Sequence, residues 1–209
     1  MIPVKILAVR YLANASPALC QSLGAPKGYP SLAMVTTDCD DATYIALDAA
    51  TKAADVVVAY GRSFYAGAAN ASTPNAGEVI GILAGQTPGA VRSGMEAALS
   101  ALERLGFVET NHVPYLAHTV ASAGSFLAKE AGVPQGTALA YLIAPPLEGM
   151  YAIDAALKAA DVRLCKLYTP PSETNFGGGL LSGSQSACEA ACAAFAQAVT
   201  EVAARPVEG

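Results

Sequence analysis

Short apolar runs, set apart by glycine, proline and small polar residues, alternate along this chain with alanine-rich stretches, and the alternation follows one order twice. The first half opens with an apolar strand, Val4 to Val9, then a short helix near Ser16 to Leu23. The second half has Tyr115 to Val120, then a helix from about Ser122 to Ala131. Gly24 and Gly132 end those helices as C-caps, with Pro26 and Pro134 just beyond, each pair 108 positions apart. A second strand follows in each half, Leu32 to Thr36 and Leu139 to Ala144. Next come helices over roughly Thr43 to Ala54 and Gly149 to Ala160, then strands beginning at Asp55 and Asp161. Each half continues through a loop rich in Gly, Ser, Pro and Asn (67–77 and 169–179) into a strand, Glu78 to Ala84 and Leu180 to Ser182. Long helices, Pro88 to Leu105 and Ser184 to Ala204, close the halves.

The repetition reaches the letters themselves. Ala46 to Val56 reads ALDAATKAADV and Ala152 to Val162 reads AIDAALKAADV, identical at nine of eleven places and 106 positions apart. Five of the nine are alanines, which an alanine-rich chain can match by accident; the Asp, Lys, Asp and Val pairs are not so easily matched. Two copies of one domain, 1–108 and 109–209, follow from that spacing, which is about half of the 209 residues. Alternating strands and helices give an α/β (α+β) fold, each copy a sheet packed with helices. A fused duplicate is a ready-made dimer, and three of them can close a ring with pseudo-sixfold symmetry.

Composition narrows the function. Charged residues are 14% of the chain against 53% hydrophobic, where a lone soluble domain carries about 25% charge. The deficit points to surface hidden in subunit contacts. A net charge of −5 without any Lys/Arg cluster argues against nucleic acid. No apolar run approaches the ~20 residues of a membrane span, and the N-terminal apolar core between Lys5 and Arg10 is too short for a secretory signal. Five cysteines without metal spacing fit a reducing, cytoplasmic setting, and Cys188 and Cys192, one helical turn apart, read as small packing residues.

At this point the residues carry a resemblance. D-A-A-x-K-A-A-D-V, followed by a strand, a loop, a glycine-ended strand and an Ala-rich helix, resembles the bacterial microcompartment (BMC) shell domain. Longer stretches, 40–69, 140–162 and 170–192, are similar to the tandem shell proteins of ethanolamine-utilisation compartments. The resemblance covers almost the whole chain, including a circularly permuted order in which a strand and helix precede the repeated motif. It implies a homotrimer that imitates a hexamer, tiles with other shell proteins around enzymes, and passes metabolites through pores. Lys52 and Lys158 would then lie at tile edges; their spacing alone reads as exposed lysines in i,i+4 pairs with Asp48 and Asp154. Related tiles of choline or propanediol compartments, or a trimeric small-molecule-binding regulator outside any shell, are the alternatives.

The halves differ in two acidic places. Thr37-Asp-Cys-Asp-Asp41 faces the far less acidic Ala144-Pro-Pro-Leu-Glu148, and Glu78 opens a strand whose counterpart begins with glycines. Asp41 reads as a helix N-cap, which accounts for one carboxylate and not for three. Two carboxylates at a repeat interface could hold a small ammonium ion. The resemblance implies small pores within each subunit that bind ethanolamine, with Asp40, Glu78, the backbone around Phe107 and Ser182 as the lining. It also makes the loops Ser63 to Asn75 and Tyr168 to Gly179 candidates for a gated central pore, with Phe64, Tyr65, Gly67 and Asn70 in one and Asn175, Phe176 and Gly177 in the other. Mobile surface loops are the plainer reading of the same glycines. Catalysis finds little support: His112 and His118 are six apart, Gly177-Gly-Gly lacks a following Lys-Ser/Thr, and Cys39 between aspartates offers too few convergent metal ligands. The expectation is therefore no enzyme, no catalytic residue, no cofactor and no metal.

Overall fold

The computed structural model describes residues 1–64, 73, 75, 77–170 and 172–207. Two compact units emerge from the packing. One holds residues 3–106 together with 124–127; the other holds 1–2, 107–123 and 128–209.

In the first unit, strand β1 (Ile6–Leu12), helix α1 (Pro17–Ser22), strand β2 (Ser31–Thr37), helix α2 (Asp40–Ala53), strands β3 (Val56–Ser63) and β4 (Val79–Gly85) and helix α3 (Pro88–Leu102) follow in order. The sheet is antiparallel throughout, in the order β1-β2-β4-β3. Alternate side chains leave a strand on opposite faces. On one face Leu32, Ile82 and Ala84 pack with Ala15, with Cys20 of α1 and with Leu23, which caps that helix. On the other, α2 closes on β4 because Gly81 has no side chain: a Cβ there would stand 2.6 Å from a Leu47 methyl. Helix α3 starts where the sequence puts proline in its first turn, and the Thr87 hydroxyl accepts from Ala90 N–H at 3.1 Å.

The second unit repeats this plan with one addition. Strands β5 (Val108–Thr110) and β6 (Val113–Val120), helix α4 (Ser125–Ala131), strand β7 (Ala138–Ala144), helix α5 (Pro146–Ala159), strands β8 (Val162–Tyr168) and β9 (Gly177–Gly183) and helix α6 (Gln185–Ala204) form the sheet β5-β6-β7-β9-β8 and its helices. The N-terminal turn of α4, residues 124–127, packs with the first unit. Every residue of β7 is buried, as expected of a central strand covered on both faces. Leu142, Ala140 and Leu181 meet Ala152, Ala156, Ala191, Cys188, Cys192 and Phe195 from α5 and α6. Alanine at those helix positions brings the backbones close to the sheet.

Several elements differ from the sequence reading. The stretch read as an inter-repeat boundary carries β5, joined to β6 by a two-residue turn, with Thr110 paired to Val113. Asn111 and His112 sit at φ 47° and 65°, the left-handed pair of a tight hairpin. Strand β1 starts later and runs longer than Val4 to Val9. Both central helices start about three residues earlier, at Asp40 and Pro146, and both long helices end near the residue expected or a little short of it. The second glycine-rich loop is shorter than 169–179, because Gly177, Gly178 and Gly179 are paired strand residues against Ala144, Ile143 and Leu142. Gly178 has φ 153°, and a Cβ there would overlap the Leu142 carbonyl, so only glycine lets the strand begin so early.

Candidate functional site

The acidic knot forms because β2 ends where α2 begins. Cys39, in an extended conformation, is the N-cap of α2, and Asp40 and Asp41 occupy its first turn. Asp41 is therefore not the cap expected from the sequence. Threonines organise the junction instead: the Thr37 hydroxyl accepts from Cys39 N–H (3.1 Å) and pairs with the Thr43 hydroxyl at 2.7 Å, while Thr43 also donates to the Cys39 carbonyl. Asp40 accepts from Asp41 N–H at 2.9 Å, Asp38 accepts from Lys5 N–H at 2.7 Å, and Asp40 and Asp41 are buried. Carboxylates in the first turn suit the positive end of the helix.

Glu78 joins this knot from β4's entry. Its N–H donates to the Thr37 carbonyl (2.8 Å), and its own carbonyl accepts from Phe64 N–H (2.9 Å). Burial first, then the nearby Asp40 and Asp38 charges, push its carboxyl up to about 7. Burial, followed by Asp41, raises the Cys39 thiol far above its ordinary range, so it stays protonated and is a poor nucleophile or metal ligand. The Tyr44 phenol rises to about 12, again mainly through burial. Asp40 and Glu78 thus lie close enough for the charge of one to disfavour ionisation of the other.

Of the remaining candidates, Phe107 and Ser182 belong to the second unit. The Phe107 carbonyl accepts from Ile2 N–H at 2.6 Å, and its ring lies 5.5 Å from that of Phe176. The Ser182 hydroxyl is nearly buried and accepts from the Cys165 thiol at 3.0 Å. Among the loop candidates, Phe64 follows β3, and Tyr65, Gly67 and Asn70 lie outside the described residues. Asn175 takes φ 62°, the Phe176 carbonyl accepts from the Ser172 hydroxyl at 2.7 Å, and Gly177 is in β9, not in a loop. Counted back from Gly85 and Gly183, which close β4 and β9 in the same register, the counterpart of Glu78 is Phe176 rather than a glycine. Neither histidine joins a cluster: His112 is exposed in its turn, 3.6 Å from Glu109, and no group of three metal-ligating side chains occurs among the described residues.

Lys52 and Lys158 both pair with the aspartate four residues earlier, at 3.2 and 2.6 Å. The aspartates are unlike. Asp154 is largely exposed, whereas the Asp48 side chain is completely buried. Asp48 accepts from Gly124 N–H at 2.7 Å and from Leu127 N–H at 2.8 Å, the two amides that a capping box satisfies at a helix start. Thr51 accepts from Ser125 N–H at 3.1 Å. The sequence held no signal for this, since the amides lie 76 to 79 residues away.

Comparison with known proteins now decides the family. A model of the BMC domain matches residues 31–116. The bacterial microcompartment shell protein EutL of Clostridium perfringens is 56% identical over 99% of this chain and 97% of its own length. The chain belongs to the bacterial microcompartment shell proteins. Its relatives in this family include EutL of Escherichia coli K12, 46% identical over 100% of the chain and 97% of that protein. The crystal structure of the ethanolamine utilisation protein EutL from Leptotrichia buccalis superposes with a TM-score of 0.97, at 56% identity over 100% of this chain and 98% of the other. The tandem α/β architecture is that of this shell family, whose members are structural proteins. No helix among the described residues is long and apolar enough to cross a membrane.

Proposed function

We propose that the chain is a non-catalytic tile in the shell of an ethanolamine-utilisation microcompartment, built of two BMC domains, 1–108 and 109–209, and assembled as a homotrimer that imitates a hexamer. The observation that carries this reading is 56% identity along essentially the full chain to a shell protein of that name. In the assembled tile the loops after β3 and β8 border a central pore, and Lys52 and Lys158 meet neighbouring shell proteins at the edges. Asp40 and Glu78 receive the ammonium group of ethanolamine. Support for that assignment is their proximity at one buried junction, where a half-buried carboxyl near neutrality gains most from a cation.

Native mass spectrometry with and without ethanolamine tests this. Three copies of the 21.1 kDa chain taking up three ligands is the expected result. A trimer without ligand removes the Asp40–Glu78 assignment, and a monomer in every condition removes the tile. Glu78→Gln is expected to weaken ethanolamine uptake about tenfold or more while the trimer persists.

A further inference from the structure

Glu78 is half-buried, and among the described residues its carboxyl has no hydrogen-bond or ion-pair partner. Its backbone, by contrast, is fixed by the bonds to Thr37 and Phe64. Thr37 pairs with Val79 across β2 and β4, so the residue before Val79 is set against those that follow Thr37. The charges that act on its carboxyl are both negative, Asp40 first and then Asp38. Asp41 acts on two other titratable groups of the junction, the Cys39 thiol and the Tyr44 phenol. Burial pushes both of those upward, so they keep their protons throughout the neutral range. The cations on adjoining segments, Lys5 ahead of β1 and Arg62 on β3, are exposed, and residues 65–77 contain no charged side chain.

A carboxyl so placed sheds its repulsion in one of two ways, by holding a proton or by meeting a cation. The two exclude each other. An alkylammonium has three donors and no acceptor, so a carboxylate with two accepting oxygens suits it, whereas the protonated acid spends one oxygen on a donor. We propose that Glu78 exchanges its proton for the ammonium ion, so that each cation taken up releases one proton to solvent. The proposal rests on the reading of Asp40 and Glu78 as the ammonium site and adds its regulation, a competition between protons and the cation.

In the exchange the Glu78 O–H bond breaks, its electron pair stays on the carboxylate and the proton leaves to buffer. The ammonium ion keeps all its hydrogens. One positive charge replaces another, so the site's net charge is unchanged. Because burial, then Asp40 and Asp38, raise the Glu78 carboxyl to about 7, the competition falls in the neutral range. The second unit has no equivalent: Phe176 stands in place of Glu78, and Ala144, Pro145 and Pro146 in place of Asp38, Cys39 and Asp40. Each chain therefore carries one such exchange.

Isothermal titration calorimetry of the full-length assembly with ethanolamine tests this at pH 5.5 and pH 8. Two buffers of different ionisation enthalpy at each pH count the protons released. The ligand's own amine stays protonated over that interval, as primary alkylamines do. Affinity should be about thirtyfold higher at pH 8 than at pH 5.5. About one proton should leave per ligand at pH 5.5 and almost none at pH 8. Equal affinity at the two pH values without proton release overturns the exchange and leaves the ammonium site intact. No binding at either pH removes both. Glu78→Gln, in a protein that keeps its assembly by native mass, should bind more weakly at pH 8 and lose the pH dependence; a retained slope contradicts the proposal. Asp38→Asn, which removes one of the two charges acting on Glu78, should move the midpoint of the dependence to lower pH. A midpoint unmoved or raised would assign the proton to another group and overturn the role of Glu78.

Discussion

The C-terminal halves of helices α2 and α5 share most of their letters, and their outward faces share almost none of their surroundings. Asp48 and Asp154 each stand four residues before a lysine, yet one is sealed beneath the start of α4 and the other lies in the open. The shared motif therefore fixes the helix and its inward alanines, while the outward stripe takes its meaning from whatever packs on it.

Breaking the buried stripe should have the largest effect. Asp48→Ala strands two amides and removes the carboxylate that pairs with Lys52, and is expected to cost about 3–4 kcal/mol in chemical denaturation. Asp154→Ala, measured on the dissociated chain, should cost less than about 0.5 kcal/mol, as for an exposed i,i+4 pair. Equal losses would erase the distinction. Next is Gly124→Ala, whose methyl would stand 2.7 Å from the Asp48 carbonyl and 2.8 Å from its carboxylate. A loss of about 2–3 kcal/mol is expected, against a few tenths for Ser16→Gly at the equivalent exposed position of the dissociated chain.

Glu78 and its counterpart Phe176 offer a comparison by pH. The folded chain holds the Glu78 proton up to about 7 and the unfolded chain only to about 4.5, so the folded state binds more protons between those values. Stability should fall as pH rises through that window and level off above it, by about 2 kcal/mol once solvent around a half-buried group is allowed for. Glu78→Gln should flatten that slope, and unfolding curves at pH 5 and 8 read it directly. Lys52→Ala should cost the single chain less than Asp48→Ala, about 1 kcal/mol from a half-exposed partner to a buried carboxylate. Its main expected effect is on sheets seen by electron microscopy, which it should abolish if Lys52 meets neighbouring tiles.

Much of this architecture was legible in the chain. The duplicated order of strands and helices, the capping glycines at 24 and 132, and the packing role of Cys188 and Cys192 follow from pattern and residue type. What was not legible depends on distant partners. Gly177 to Gly179 look like loop until β7 is set beside them. Asp41 looks like a cap until Thr37 and Thr43 are seen to hold Cys39 in that place. The acidity of Thr37–Asp41 and Glu78 was visible as asymmetry between halves, whereas their proximity comes only from β2 ending beside the start of β4. Asp48 could not be told from Asp154 at all, because the difference lies in residues 76 positions away.

The most direct test of this difference is hydrogen exchange at the amides of Leu127 and Leu19 in the dissociated chain. Leu127 should stay protected, its N–H held by the buried Asp48 carboxylate, while Leu19, in a helix start without a side-chain cap, should exchange far faster. Equal exchange at the two amides, or faster exchange at Leu127, would contradict the account.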